Sequence, residues 1–215
     1  MKKTLTQVNL IQAARKFCAR NHTYADLFGV TDGKAVGTFI EHWFQREIES
    51  NFAVEIGNSA SGLDLPALET DIKVTSIRQP QSSCPFKSAR QKVYGLGYNL
   101  LLFVYDKQDN HRTKKANLDF VSCAFIENNR TADYTVTRNL LQILGSDGNH
   151  DDVFAFLSDR QLPGDESVLN ALADEILRTP PTQGYLTISN ALQWRLQYGR
   201  IVDLIEPVSG IVRIV

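Results

Sequence analysis

A chain of 215 residues with 43% hydrophobic content can bury one sizeable core, which points to a single domain. Its formal charge of −1 excludes a protein that coats nucleic acid through bulk positive charge. No apolar run approaches the roughly 18 to 20 residues that a bilayer span requires, and Met1-Lys2-Lys3-Thr4-Leu5-Thr6-Gln7 opens without a signal-type apolar block, so a cytoplasmic protein with no membrane association is expected.

From Gln7 to Ala19, Val8, Ile11, Ala14, Phe17 and Cys18 recur at helical spacing and predict an amphipathic helix. Thr23 reads as the cap of a short helix over Tyr24 to Phe28 that Gly29 ends. A longer helix is expected from Lys34 to about Ile48, its apolar face carrying Val36, Phe39, Ile40, Trp43, Phe44 and Ile48. Gly37 and Glu41 lie one turn apart on it, so the carboxylate falls at the edge of the buried side. Asn58 to Pro66 reads as a loop, and Thr70 to Ile77 alternates as a strand. The apolar run Asn99 to Tyr105 has the pattern of a central strand buried on both faces, and Leu118 to Ile126 gives another. Helices are predicted over Thr135 to Leu144, Asp151 to Ser158 and Asp165 to Arg178. A further one covers Thr187 to Tyr198, before a hairpin of Arg200 to Glu206 and Ile211 to Val215 around Pro207-Val208-Ser209-Gly210. The order implies an α/β or α+β layer architecture with a mixed sheet.

Hydrolysis of a phosphodiester by metal-activated water needs hard oxygen ligands and a nearby cation. Asp64 and Asp71-Ile72-Lys73 supply both types. Strand alternation puts Asp71 and Lys73 on one face with Ile72 behind them, and Asp64 can reach that face from the preceding turn. Glu41 offers a third carboxylate if its helix packs beside the strand, with Gly37 allowing close approach, and the Ile72 carbonyl is a further candidate ligand. An acid two residues before a lysine is common, and its bland reading is a pair of solvated charges on an exposed sheet face. The clustering is what argues against that reading, because neighbouring carboxylates repel unless a cation lies between them. Downstream, Ile72 to Tyr105 contains no Asp or Glu but does contain Lys73, Arg78, Lys87, Arg90 and Lys92, a local basic stretch suited to phosphate or, more plainly, to solvent.

Other motifs carry less. His22, His42, His111 and His150 show no zinc-type spacing and read as structural or surface residues. Cys18, Cys84 and Cys123 form neither a CxxC pair nor a disulfide framework, and Ser82-Ser83-Cys84 has no identifiable base. Gly95-Leu96-Gly97 is too short for a phosphate loop and suggests close packing, while Tyr94 and Tyr98 read as core or rim residues.

Three pieces in the same order resemble the PD-(D/E)xK nucleases, in the branch that holds the MutH nicking endonuclease of mismatch repair and related type II restriction endonucleases. Gly33 to Trp43 is similar to that branch's helix, with a glycine four before the catalytic glutamate and an aromatic residue two after it. Asp64 to Lys73 keeps its six-residue gap between acids, and Ser88-Ala89-Arg90-Gln91-Lys92 resembles the segment that brings a further lysine towards the scissile phosphate. The likeness spans about Thr23 to Tyr105, and the final hairpin more loosely. Two features depart from it: a longer segment, Arg46 to Gly62, between Glu41 and Asp64, and aspartate rather than glutamate at position 71.

The resemblance implies a restriction-endonuclease-like core with a mixed sheet flanked by helices, then a C-terminal helix and β-hairpin, in a single endonuclease domain over residues 1–215. Residues 1–130 would form the catalytic core, and 131–215 a helical, DNA-contacting region. It implies a Mg²⁺-dependent type II site-specific deoxyribonuclease using one or two ions, with Mn²⁺ as a substitute. Glu41, Asp64, Asp71 and the Ile72 carbonyl would hold the metal, and Glu41, Asp64, Asp71, Lys73 and Lys92 would form the catalytic set. Arg78, Lys87, Arg90, Arg112, Lys114 and Lys115 are the expected DNA contacts, double-stranded DNA the substrate, and a DNA methyltransferase the genetic companion. The enzyme would be a monomer or homodimer. With the chain given to Val215, a stand-alone restriction enzyme is expected ahead of a repair nickase. The rivals are a non-catalytic DNA-binding module, which would bind without metal and without cutting, and a structural protein with no DNA affinity at low salt.

Overall fold

The computed structural model describes residues 2–57, 62–83, 87–189 and 194–215. In chain order the strands and helices are β1 (Lys3–Thr4), α1 (Gln7–Cys18), β2 (His22–Tyr24), α2 (Gly33–Asn51), β3 (Phe52–Ala53), β4 (Thr70–Ser76), β5 (Gln81–Ser83), α3 (Arg90–Tyr94), β6 (Asn99–Asn110), β7 (Lys115–Ile126), α4 (Tyr134–Gly145), α5 (His150–Asp159), α6 (Glu166–Arg178), β8 (Thr187–Ile188), β9 (Arg195–Gln197), α7 (Gly199–Val202) and β10 (Ile211–Arg213). The class is mixed α and β, as expected. The chain forms two compact units: Met1–Ser82, Tyr98–Ile126 and Val202–Val215 make the first, Ser83–Gly97 and Glu127–Ile201 the second.

The first unit is built on a sheet in the order β10-β7-β6-β4, with β2 also on β7. Parallel β4 and β6 pair from Thr70 opposite Asn99 to Ser76 opposite Tyr105, and β6 turns back antiparallel into β7. Leu100 to Val104 of β6 are fully buried, which is why that stretch reads as an unbroken apolar run. One core gathers Phe17 from α1, Ile40, Phe44 and Ile48 from α2, Ile72 from β4, Phe103 from β6 and Phe125 from β7. Val8, assigned to the inner face of α1, is instead exposed, and Leu10, Ala14 and Phe17 fill that face.

Helix α2 begins where the Asp32 side chain accepts the Lys34 N–H. Its seat on β4 depends on Gly37: a Cβ there would lie 2.9 Å from the Val74 carbonyl oxygen, tighter than side-chain carbons tolerate, so any larger residue would lift the helix off the strand.

The second unit holds a separate core of Val93, Val136, Leu140, Val153, Leu157, Leu172 and Ile176, drawn from α3 to α6. Its helices start at Asp133, Asn149 and Asp165, whose side chains accept first-turn N–H groups. At Gly95, which ends α3 with φ +94°, a Cβ would meet the Asn128 carbonyl, so close packing explains this glycine as expected.

Three expected elements take another form. Residues 22–24 form β2 on β7, and the Thr23 hydroxyl bonds Asn117 rather than capping a helix. A five-residue helix has too few internal bonds to compete with that pairing. Where one helix was expected from Thr187 to Tyr198, β8 and β9 pair antiparallel, Ile188 opposite Leu196; residues 190–193 of that expectation lie outside the described ones. Arg200 to Glu206 is no hairpin arm: it contains the end of α7, and β10 pairs with Ala124 to Ile126 of β7. Ile211 and Ile214 are buried there, so β7, not a local partner, captures the terminal strand. Asn58 to Ser61 of the expected loop, and Cys84, also lie outside the described residues.

Candidate active site

In the first unit, Glu41, Asp64, Asp71 and Lys73 meet where α2 crosses β4. Asp71 and Lys73 leave β4 on the same side, as period-two alternation requires, and Lys73 Nζ lies 2.7 Å from Asp71 Oδ2. The core contact of Ile72 fixes that side, because the residue between them is fully buried. Asp71 itself is only 7% exposed.

Asp64 precedes β4 in irregular chain, and its carboxylate is held from two directions. Oδ2 accepts the Ile72 N–H at 2.7 Å and Oδ1 accepts Gln45 Nε2 at 3.0 Å. Its own carbonyl accepts the Gly57 N–H at 2.8 Å. Since the Ile72 N–H points to Asp64 and not to β6, and a strand residue directs N–H and C=O to the same side, the Ile72 carbonyl also faces the Asp64 edge of β4. Glu41 is half-buried on the preceding turn of α2, four residues from Gln45 and four from Gly37.

The electrostatics are those of crowded acids. Burial raises the Asp71 pKa to about 7, with Asp64 reinforcing the rise and Lys73 opposing it. Burial likewise pushes Glu41 up, Lys73 pulls it back, Asp71 raises it, and a hydrogen bond with Asp64 lowers it. Asp71 and Glu41 are thus costly to ionise where they sit, a cost that an added cation would relieve. The donors are hard carboxylate oxygens with one carbonyl, the chemistry that Mg²⁺ prefers. Among the described residues no three His, Cys, Asp or Glu side chains already surround a common point; the Asp71 carboxylate is turned onto Lys73 instead.

Other expected residues sit elsewhere. Lys92 belongs to the second unit, on α3. It is buried at 3% exposure, with its ammonium 4.6 Å from the centre of the Trp194 ring, and burial lowers its pKa while Asp133 raises it. Arg90, also on α3, is bound through two nitrogens to Glu175 and stacks over Tyr94. Lys87 is exposed in the second unit, and Arg78 is exposed in the turn after β4. Arg112 and Lys114 lie at the exposed tip between β6 and β7, which Lys115 closes, with the Lys114 ammonium over Phe28. Lys73 is level with Leu102 of β6, eight residues before Asn110, so the tip lies roughly 26 Å away along the strand at ~3.3 Å per residue. His22 is structural as expected: it is buried, and its ring nitrogens meet the Phe17 carbonyl and the Tyr24 hydroxyl. Gln45 escaped the sequence reading, although its place one turn beyond Glu41 on the same helical stripe was a usable signal.

A family model described as type II restriction enzyme NspV matches residues 4–213. A curated protein, Type II restriction enzyme NspV of Nostoc sp. (strain ATCC 29411 / PCC 7524), is 57% identical over 188 residues, 87% of this chain and 86% of that one. No solved structure matches. No helix among the described residues is long and apolar enough to cross a membrane.

Proposed function

Given that the chain belongs to the NspV family of type II restriction enzymes, sequence-specific deoxyribonucleases, we propose that the Glu41, Asp64, Asp71 and Lys73 cluster is its phosphodiester-hydrolysing centre. The observation that carries this reading is the meeting of a lysine and three acids, one of them shifted to about 7, beside β4: Asp71 and Lys73 on one of its faces, Asp64 at its edge and Glu41 from α2. Type II restriction enzymes generally need a divalent metal. Here Glu41, Asp64, Asp71 and the Ile72 carbonyl would hold Mg²⁺, one ion or two, with Mn²⁺ able to replace it. A bound ion would make water a better nucleophile and offset the charge that builds on phosphate.

Lys73 orients the attacking water or takes its proton. Its charge also supports the phosphorane-like transition state as water oxygen bonds to phosphorus and one P–O bond breaks. To hold an ion, Asp71 would have to turn its carboxylate from Lys73 by rotation about its own side chain. Lys92 approaches the phosphate; burial lowers its pKa, Asp133 opposes that shift, and the charge of bound DNA would oppose it further. Arg78, Lys87, Arg90, Arg112, Lys114 and Lys115 contact the DNA backbone. Of these, Arg90 has to share its guanidinium with Glu175, and the three cations of the β6–β7 tip serve phosphates far from the scissile one. Residues 1–130 supply the catalytic core and 131–215 further DNA contacts. The protein works in the cytoplasm, as monomer or homodimer, beside a DNA methyltransferase.

Incubating the purified protein with methylation-free phage DNA tests the reading. Discrete fragments are expected in Mg²⁺ or Mn²⁺ and none in excess chelator. Undiminished cutting in chelator would remove the metal from the mechanism.

A further inference from the structure

Asp64 stands apart from the other acids of the cluster because no strand or helix carries it. Besides its carboxyl contacts with Asp71 and Glu41, its carboxylate accepts from a pair of N–H donors, the backbone of Ile72 at 2.7 Å and the side chain of Gln45 at 3.0 Å. Gln45 is 9% exposed on the inner face of α2, between the fully buried Phe44 and Ile48. An amide in that position sacrifices the packing that leucine or methionine would give, and burying it is costly unless it is hydrogen-bonded. Its bond goes to a site acid, not to the backbone of its own helix. One stripe of α2, four residues per step, thus sets Gly37 against Val74, Glu41 beside Asp71 and Lys73, and Gln45 onto Asp64.

We propose that Gln45 is a positioning residue: its Nε2–H pins one oxygen of Asp64, while Ile72 N–H pins the other, so that the remaining lone pairs of the carboxylate face the metal position beside Asp71. The inference rests on reading Asp64 as a metal ligand. A carboxylate accepts about four hydrogen bonds or ligands, so two N–H donors leave it free to bind an ion while removing its rotational freedom. The same logic governs histidine ligands, whose outer partners are worth about 10- to 100-fold in metal affinity. Gln45 touches neither the ion nor the DNA and acts only through Asp64.

The test measures Mn²⁺ binding to the DNA-free protein by electron paramagnetic resonance, together with the Mg²⁺ dependence of cleavage. Gln45→Met keeps length and volume but has no donor. It is expected to weaken Mn²⁺ binding about tenfold, near 1.4 kcal/mol, and to raise the half-saturating Mg²⁺ equally, with the rate at saturating Mg²⁺ within about threefold of wild type. In an Asp64→Asn background the same substitution changes Mn²⁺ binding no further, whereas a merely structural role would add its loss in both backgrounds. Gln45→Asn, which draws the amide back by one methylene, carries the same expectation should the methionine variant not fold. Wild-type Mn²⁺ affinity in the Gln45 variants, alongside a crippled Asp64→Asn, overturns the inference alone. Wild-type Mn²⁺ affinity and cleavage in Asp64→Asn overturns the ligand reading, and the inference with it.

Discussion

Two lysine–aspartate pairs two residues apart sit on neighbouring strands of one sheet, Asp71 with Lys73 on β4 and Lys107 with Asp109 on β6, at 2.7 and 2.6 Å. Their acids respond in opposite ways. Asp109 stands at the open end of β6, where the hydrogen bond from Lys107 holds its pKa below the ordinary value, and it also accepts the Gly29 N–H. Asp71 has an equally close lysine, yet burial and the neighbouring Asp64 outweigh that partner and carry it to about 7. The contrast locates the chemistry in the setting rather than in the spacing: the outer pair is a fastener between the hairpin and the chain before α2, and the inner pair is poised for a cation.

The largest effect that should separate the two regions is on catalysis. Asp71→Asn and Asp64→Asn are expected to lower the cleavage rate by about 10³-fold or more, measured on plasmid DNA in Mg²⁺, since each deletes an ionic metal ligand. Gly37→Ala should be intermediate. Forcing a methyl group against the Val74 carbonyl moves Glu41 away from β4, and a rate loss of about 10- to 100-fold is expected, with about 1 to 3 kcal/mol of destabilisation by urea titration.

A smaller effect concerns stability in the absence of metal. Because folding raises the Asp71 pKa from 3.8 to about 7, its stability contribution is complete below the unfolded value and is lost as pH rises through 7, up to about 4 kcal/mol. Asp71→Asn should therefore melt several degrees above wild type at pH 8 in chelator and close to it at pH 4, by scanning calorimetry. Equal melting temperatures at pH 8 would mean that the buried acid is not strained. At the low end, Asp109→Asn should leave cleavage within about twofold and melting within about 2 °C, because this partly covered pair stands outside the acid cluster and a lone ion pair near the surface contributes little.

How much of this could be read from the chain follows the same division. The face of β4 was legible, because alternation around a buried Ile72 leaves Asp71 and Lys73 no other side, and β6 and β7 announced themselves as apolar runs. The stripe of α2 was half legible: Gly37 and Glu41 followed from helical spacing, whereas Gln45 gave no sign of a partner nineteen residues away in irregular chain. Thr23, Thr187 to Tyr198 and Ile211 were misassigned for one reason. Each lies in a segment too short to fix its own structure, and a strand elsewhere, β7 or an adjacent arm, decides it. The basic stretch was visible as composition, but spacing could not reveal that Arg90 would spend its charge on Glu175.

The central claim, that hydrolysis belongs to the inner pair, is tested most directly by digesting the same phage DNA in Mg²⁺ with Lys73→Ala and Lys107→Ala side by side. The account predicts intact DNA from the first and the wild-type fragment pattern from the second. Wild-type fragments from Lys73→Ala would contradict it.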